Sequence, residues 1–360
     1  MASQGHRARA ADLGVVVGQL PAGARNAITD VPGVLAGHTT LIEGSDIRTG
    51  VTAIVPEALR ATGRLRAGFY VGNGFGKMVG TTQVSELGEI ETPIVLTATL
   101  ATFRAADAVI TYMHALPGNE ELGTVNPVVA ETNDMFLSDV RRRPVTEEHV
   151  LAALRTATAG PVAEGAVGAG TGTGALGYKA GIGTASRTVD CGGRTVTVGA
   201  LAQTNFGGTL TVLGVPLPAH QTLAAAGIAE RSGPAAAGAR DQAAGQQGNS
   251  CVIVLATDAP LDARQLARIA RRAIFAMARV GSSFQGSSGD YALAFSTSAG
   301  DRLLAEADLD QLFVAAMDST EEAILNSLFM AETTVGFRGH VRHAVPLDAV
   351  RAACRLEATH

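Results

Sequence analysis

Residues 245–260 read GQQGNSCVIVLATDAP, and within two residues the chain passes from a polar, glycine-bearing stretch into a hydrophobic run. From Cys251 the run is short, apolar and bounded like a strand. Behind it, LDARQLARIARRAIFAMARVG (261–281) sets Leu266, Ile269, Ala270, Ala273, Ile274 and Met277 on one helical face. Ahead of it, residues 216–249 are rich in Ala, Gly and Gln, and their second half offers almost nothing large to bury. That composition predicts a mobile connector, about 219–249. The fold must therefore accommodate a strand that starts abruptly at the end of a connector.

The rest of the chain mixes strands and helices without a regular βαβ alternation. Strands are expected at 51–55, 67–71, 92–100 and 289–297, with further strands joined by tight turns between 163 and 215. ATFRAADAVITYMHAL (101–116) reads as a helix ending before Pro117-Gly118, and 145–160 as another with Thr146 as cap. DSTEEAILNSLFMAETTVG (318–336) reads as a helix capped by Asp318 or Ser319, with Glu321 and Glu322 in its first turn and Gly336 as its stop. Such a pattern favours stacked α and β layers. No internal repeat is visible.

Several function classes are excluded. Trp is absent and aromatics make up 4%, so the core is built from Ala, Val, Leu and Ile. A net charge of −5 gives no reason to expect nucleic acid or a membrane surface as partner, and Arg141, Arg142 and Arg143 read as a solvated loop. Cys191, Cys251 and Cys354 lie too far apart for a disulfide framework or paired metal ligands. No run approaches the ~18–20 apolar residues of a membrane span, and the N-terminal apolar run is broken by Gly and Gln. A soluble cytoplasmic protein is the expectation. GTGALG (172–177) fits the dinucleotide fingerprint in letters, but the glycine-rich YKAGIGTAS behind it cannot open the required helix. His340 and His343 lack a ligand-spaced carboxylate or Cys, and no GxSxG elbow occurs. Neither a metal nor an organic cofactor is expected.

The seam at Asn249-Ser250 has the layout of an N-terminal nucleophile. The Ser250 hydroxyl would attack the preceding carbonyl, an N-to-O acyl shift would give an ester, and water would free a new α-amine. With an ordinary pKa of ~7.7–8.0, that amine can take the hydroxyl proton without a histidine. The plainer reading is a loop whose Asn-Ser is prone to deamidation. Cys251 is a rival nucleophile if the cut falls one residue later.

Nine blocks decide between these readings: NAITDVPGVLAGHTTL (26–41), GNGFGKMVG (72–80), ETPIVLTATL (91–100), NPVVAETND (126–134), GAVGAGTGTGALGYKAGIGTASR (165–187), ALAQTNFGG (200–208), NSCVIVLATDAPL (249–261), GSSGDYALAFST (286–297) and EEAILNSLFMAET (321–333). In this order they resemble the self-processing L-aminopeptidase/D-esterase and β-peptidyl aminopeptidase family of serine peptidases, over about residues 8–350. The resemblance implies an N-terminal-nucleophile-like α-β-β-α sandwich, two mixed sheets between helical layers, related to the ornithine acetyltransferase fold. It also implies cleavage into an α chain, 1–249, and a β chain, 250–360, that together form one catalytic domain and assemble as a homo-oligomer of αβ heterodimers. By the same resemblance Ser250 is the nucleophile. Ser288 and Asp290 orient and tune its amine, Asn205 donates to the oxyanion, and Glu131 pairs with the substrate's free amine. Asn133 stands where some relatives carry an aromatic residue, and Asp290 where some carry Glu. The expected substrates are short peptides, amino-acid amides or esters, and β-amino acyl peptides. Acyl transfer of the ornithine acetyltransferase type, which uses Thr, and an unprocessed binding protein are the alternatives. Without the resemblance, Asp290 and Asn205 could be turn residues and Glu131 a helix cap.

Overall fold

The computed structural model describes residues 6–191, 193–228, 250–300 and 302–356. Two mixed sheets carry the architecture. The first runs, in spatial order, through Val34–Glu43, Ile47–Pro56, Ile94–Ala98, Val128–Thr132 and Met78–Val79. The second runs through Ile182–Cys191, Arg194–Asn205, Ser250–Thr257, Gly289–Ser296, Leu65–Gly74 and Glu89–Ile90. Both contain one parallel pair, Ile94–Ala98 with Val128–Thr132 and Ser250–Thr257 with Gly289–Ser296.

Side-chain alternation explains the layering. Successive residues of a strand point to opposite faces. From the central strand, Val252, Val254 and Ala256 join Ile54, Leu96, Val128 and Leu293 in a core between the sheets. Cys251, Ile253 and Leu255 face the other way, onto the helices Ala263–Arg279 and Leu309–Phe329. In the first sheet Val51, Ala53, Val55 and Val95 face the helices Thr102–His114 and Glu147–Arg155. Three apolar cores thus separate four layers, α-β-β-α. Both faces of the central strands are covered, so those strands read as unbroken apolar runs.

The face expected on residues 261–281 is the one buried, and Asp262 caps that helix by accepting the Gln265 N–H at 2.7 Å. Two expectations need correction. Within the stretch expected as a connector, Ala219–Ala225 is helical, with Thr222 and Leu223 buried, and residues 229–249, Asn249 included, lie outside the described residues. The last long helix starts at Leu309 and ends at Phe329, not at Asp318 and Gly336. Its acids are partners in tertiary ion pairs, not caps. Asp318 accepts from Arg279 at 2.8 Å, and Glu322 from the buried Arg187 at 2.6 Å. Gly336 serves a close pass instead, because a Cβ there would meet the Leu137 carbonyl oxygen at 2.1 Å. GTGALG is a hairpin, Gly174–Ala175 against Tyr178–Lys179, turning at Leu176 and Gly177 with φ of 54° and 86°.

Candidate active site

Ser250 is the first residue of the central strand and is 4% exposed. In the antiparallel direction its cross-strand partner is Asn205, the last residue of Arg194–Asn205. In the parallel direction its partner is Gly289, whose own partner is Gly74. Four strand ends therefore lie in one row at one edge of the sheet. The two outer residues of that row, Asn205 and Gly74, precede residues 229–249 and the two inner ones, Ser250 and Gly289, follow them, so neither part contains the site alone.

Ser288 and Asp290 flank Gly289. The Ser288 hydroxyl donates to Asp290 Oδ1 at 2.7 Å, and Asn73 Nδ2 donates to Oδ2 at 2.9 Å. Burial raises the Asp290 pKa from its ordinary value, while Ser288, Asn73 and the Cys251 backbone N–H pull it down. Cys251 itself is wholly buried in the helix-facing core, and burial, then the charge of Asp290, raises its thiol well above the ordinary range. A thiol held neutral and packed as a hydrophobe is a poor nucleophile.

The other side of the site comes from the first sheet. Glu131, 3% exposed, lies on Val128–Thr132. Two bonds tie this strand to the second sheet. Gln203 Nε2 donates to Thr132 Oγ1 at 2.8 Å, and Asn205 Nδ2 donates to the Asn133 carbonyl at 2.9 Å. The Asn205 Oδ1 accepts the Gly174 N–H at 3.2 Å. Its amide plane is thus held from both ends, and among the described residues one of its N–H hydrogens has no partner. The Asn133 side chain turns along its own loop, accepting the Met135 N–H at 3.0 Å.

Sequence reasoning passed over two residues of GNGFGKMVG. One short segment stitches the halves of the site together. Asn73 bonds Asp290, the Phe75 N–H donates to the Ser288 carbonyl at 3.0 Å, and Lys77 reaches Glu131. Lys77 donates to Glu131 Oε1 from its backbone N–H at 3.1 Å and from its ammonium at 3.0 Å. That ammonium also donates to Thr99 Oγ1 at 2.8 Å. The block was visible in the sequence; the roles of its polar residues were not, because their partners come from strands far along the chain.

Two buried ionisable groups, Lys179 and Asp134, feel each other's charge. Lys179 is fully buried and donates to the carbonyls of Gly170, at 3.1 Å, and Ala180. Burial and the nearby Arg342 lower its pKa to about 7, against the pull of Asp134. Burial and the charge of Glu131 raise Asp134 to about 7, opposed by Thr49 and Lys179. A separate cavity of about 400 Å³, lined by Leu59, Tyr112, Met113 and Leu122 among others, contains none of these residues.

Residues 26–342 match peptidase family S58. The chain belongs to that family. It is 39% identical to the β-peptidyl aminopeptidase BapA of Sphingosinicella microcystinivorans, over 97% of this chain and 92% of that one. Among solved structures, it superposes on the L-aminopeptidase D-Ala-esterase/amidase of Ochrobactrum anthropi with a TM-score of 0.85, 36% identity and coverage of 96% and 98% of the two chains. That structure is described as a prototype for the serine aminopeptidases and a new variant of the Ntn hydrolase fold. The PH0078 protein of Pyrococcus horikoshii OT3 superposes equally well, with a TM-score of 0.85 at 40% identity and coverage of 97% and 99%. The S58 chain is accordingly a hydrolase, a serine aminopeptidase of the Ntn-hydrolase fold. The acyl-transfer and scaffold readings are not favoured by these relatives. Among the described residues, no helix is long and apolar enough to cross a membrane.

Proposed function

We propose that this chain cuts itself between Asn249 and Ser250 and then removes N-terminal residues, β-amino acyl residues included, from short peptides and amides through an acyl-enzyme on Ser250. The observation that carries the reading is the row Asn205–Ser250–Gly289. It sets a hydroxyl at a strand's first residue between an amide donor and the Ser288–Asp290 pair. After the cut, the Ser250 α-amine takes the proton of its own hydroxyl, Ser288 and Asp290 orient that amine, and the hydroxyl oxygen attacks the substrate carbonyl. The spare Asn205 N–H hydrogen stabilises the oxyanion. The proton passes to the leaving amine, and water then hydrolyses the ester. Glu131 holds the substrate's free amine, which limits attack to the first peptide bond. Asn133, two residues on from Glu131, belongs to the substrate side of the same proposal, with its side chain turned onto Met135. Relatives named as β-peptidyl aminopeptidase and as L-aminopeptidase D-Ala-esterase/amidase support both substrate classes. A location in the cytoplasm and assembly of αβ units into a homo-oligomer belong to the same proposal.

The test is an intact-mass spectrum beside that of Ser250→Ala. The 36.7 kDa chain, scaled by 111 of 360 residues, yields fragments near 11 and 25 kDa. The smaller fragment should begin with serine, and the variant should stay whole and inactive. A variant that is cut and active would end the proposal. A small fragment lacking that serine would move the nucleophile to Cys251.

A further inference from the structure

Resting on the function just proposed, we propose that Lys77 and Glu131 together read an amino-carboxylate head group, and that peptides with an N-terminal β-aspartyl residue are a favoured substrate class. Glu131 accepts both of its hydrogen bonds on Oε1, from the Lys77 backbone N–H at 3.1 Å and the Lys77 ammonium at 3.0 Å. Oε2 receives none from the described residues. The ammonium spends one hydrogen on Glu131 and one on Thr99 Oγ1, and an ammonium has three. The Lys77 side chain is 37% exposed, whereas that of Glu131 is 3% exposed. Among the described residues, one ion pair therefore leaves a carboxylate oxygen of Glu131 and an ammonium hydrogen of Lys77 without a protein partner, at the acid proposed to hold the substrate amine.

Charge balance selects what fits. Lys77 and Glu131 neutralise each other, so a substrate bringing only an ammonium leaves that ammonium beside the Lys77 cation. That repulsion acts over the same few ångströms as the attraction to Glu131 and so offsets much of it. A substrate carrying a carboxylate on the same carbon as its amine restores neutrality and gives Lys77 its third hydrogen bond. In a β-aspartyl residue the amine and the α-carboxylate share one carbon, and a single methylene separates that carbon from the scissile carbonyl. β-Alanine has the same spacing without the carboxylate. The chemistry is unchanged: the Ser250 oxygen bonds the side-chain carbonyl carbon, the C–N bond breaks, the leaving amine takes the proton, and water releases aspartate from the ester.

The matched pair makes the experiment. The same amine leaving group is offered on β-aspartyl and β-alanyl residues to the processed wild-type enzyme, with Ser250→Ala as control. The wild type should favour β-aspartyl at least tenfold in kcat/KM, with most of the difference in KM. Lys77→Met should reduce that preference at least tenfold, and Lys77→Arg should restore most of it. Equal or slower turnover of the β-aspartyl substrate by the wild type overturns the proposal, as does a preference that survives in Lys77→Met. Cleavage of either substrate by Ser250→Ala would instead overturn the nucleophile assignment beneath it. Because a preference is a ratio within one preparation, partial misfolding of a variant cancels from it.

Discussion

Asn205 ends one strand where Ser250 begins the next, and the two are cross-strand partners although residues 206–249 lie between them in the chain. The register brings an amide side chain beside a hydroxyl at the ends of neighbouring strands. It is held in place by the Asn133 carbonyl and the Gly174 N–H, one at each end of the Asn205 amide.

Asn205→Ala should lower kcat by about 10²–10³ and leave KM for an aminoacyl amide within severalfold. Steady-state kinetics on a chain already shown to be cut would separate this from a processing defect. A loss confined to KM would mean that the amide only shapes the pocket.

Asn73→Ala removes one of the side-chain donors on Asp290 and leaves Ser288 in place. A lost hydrogen bond to a carboxylate raises its pKa. The acid limb of the pH–kcat/KM profile should therefore move to higher pH than in the wild type. An unmoved limb would assign that limb to another group.

The Asp134 and Lys179 pair makes a pH signature in stability. Asp134 is raised from its ordinary 3.8 to about 7, so folding costs most once pH exceeds about 7. Relative to wild type, Asp134→Asn should gain stability as pH rises from about 4 to about 7, by up to ~4 kcal/mol, and hold that gain above. Lys179 is lowered from 10.5 to about 7, so its cost is full below about 7 and relieved as pH climbs towards 10.5. Relative to wild type, Lys179→Met should therefore gain as pH falls through that range. Urea unfolding across pH 4–10 reads both differences; parallel curves for wild type and variants would refute the assignment.

Glu322 and Arg187 form a buried ion pair at 2.6 Å between the last long helix and an edge strand of the second sheet. Glu322→Ala strands the guanidinium and should cost about 3–5 kcal/mol. Arg187→Met combined with Glu322→Leu should recover much of that in the same denaturation assay. A double variant as unstable as the single one would mean the helix needs the pair for its packing geometry.

Much of this was legible beforehand. The helical face of residues 261–281 follows from three- and four-residue spacing, a local property that tertiary packing had no reason to alter. The strands expected at 51–55 and 67–71 fall within Ile47–Pro56 and Leu65–Gly74, and the one expected at 92–100 contains Ile94–Ala98, because apolar runs between turn residues have few other uses. Ser250 was singled out by its place at the seam and by a family pattern, and Ser288, Asp290, Asn205 and Glu131 by the family pattern alone. The sequence shows that they exist; it contains nothing that measures the distance between them.

The start of the last helix was misread because acids near an apolar run look alike whether they cap a helix or meet an arginine elsewhere. Asp318 meets Arg279 and Glu322 meets Arg187, contacts spanning dozens of residues that no local window contains. Lys77 was missed for the same reason, since its partners Glu131 and Thr99 lie on or beside other strands. The sequence alone determined the layered architecture and the abrupt strand at Ser250, because periodicity and residue size act over a few neighbours. Only the tertiary structure decided that Asn73 and Lys77 join Asp290 to Glu131. Hydrogen bonds between strands depend on register, and register is set by the packing of both sheets together.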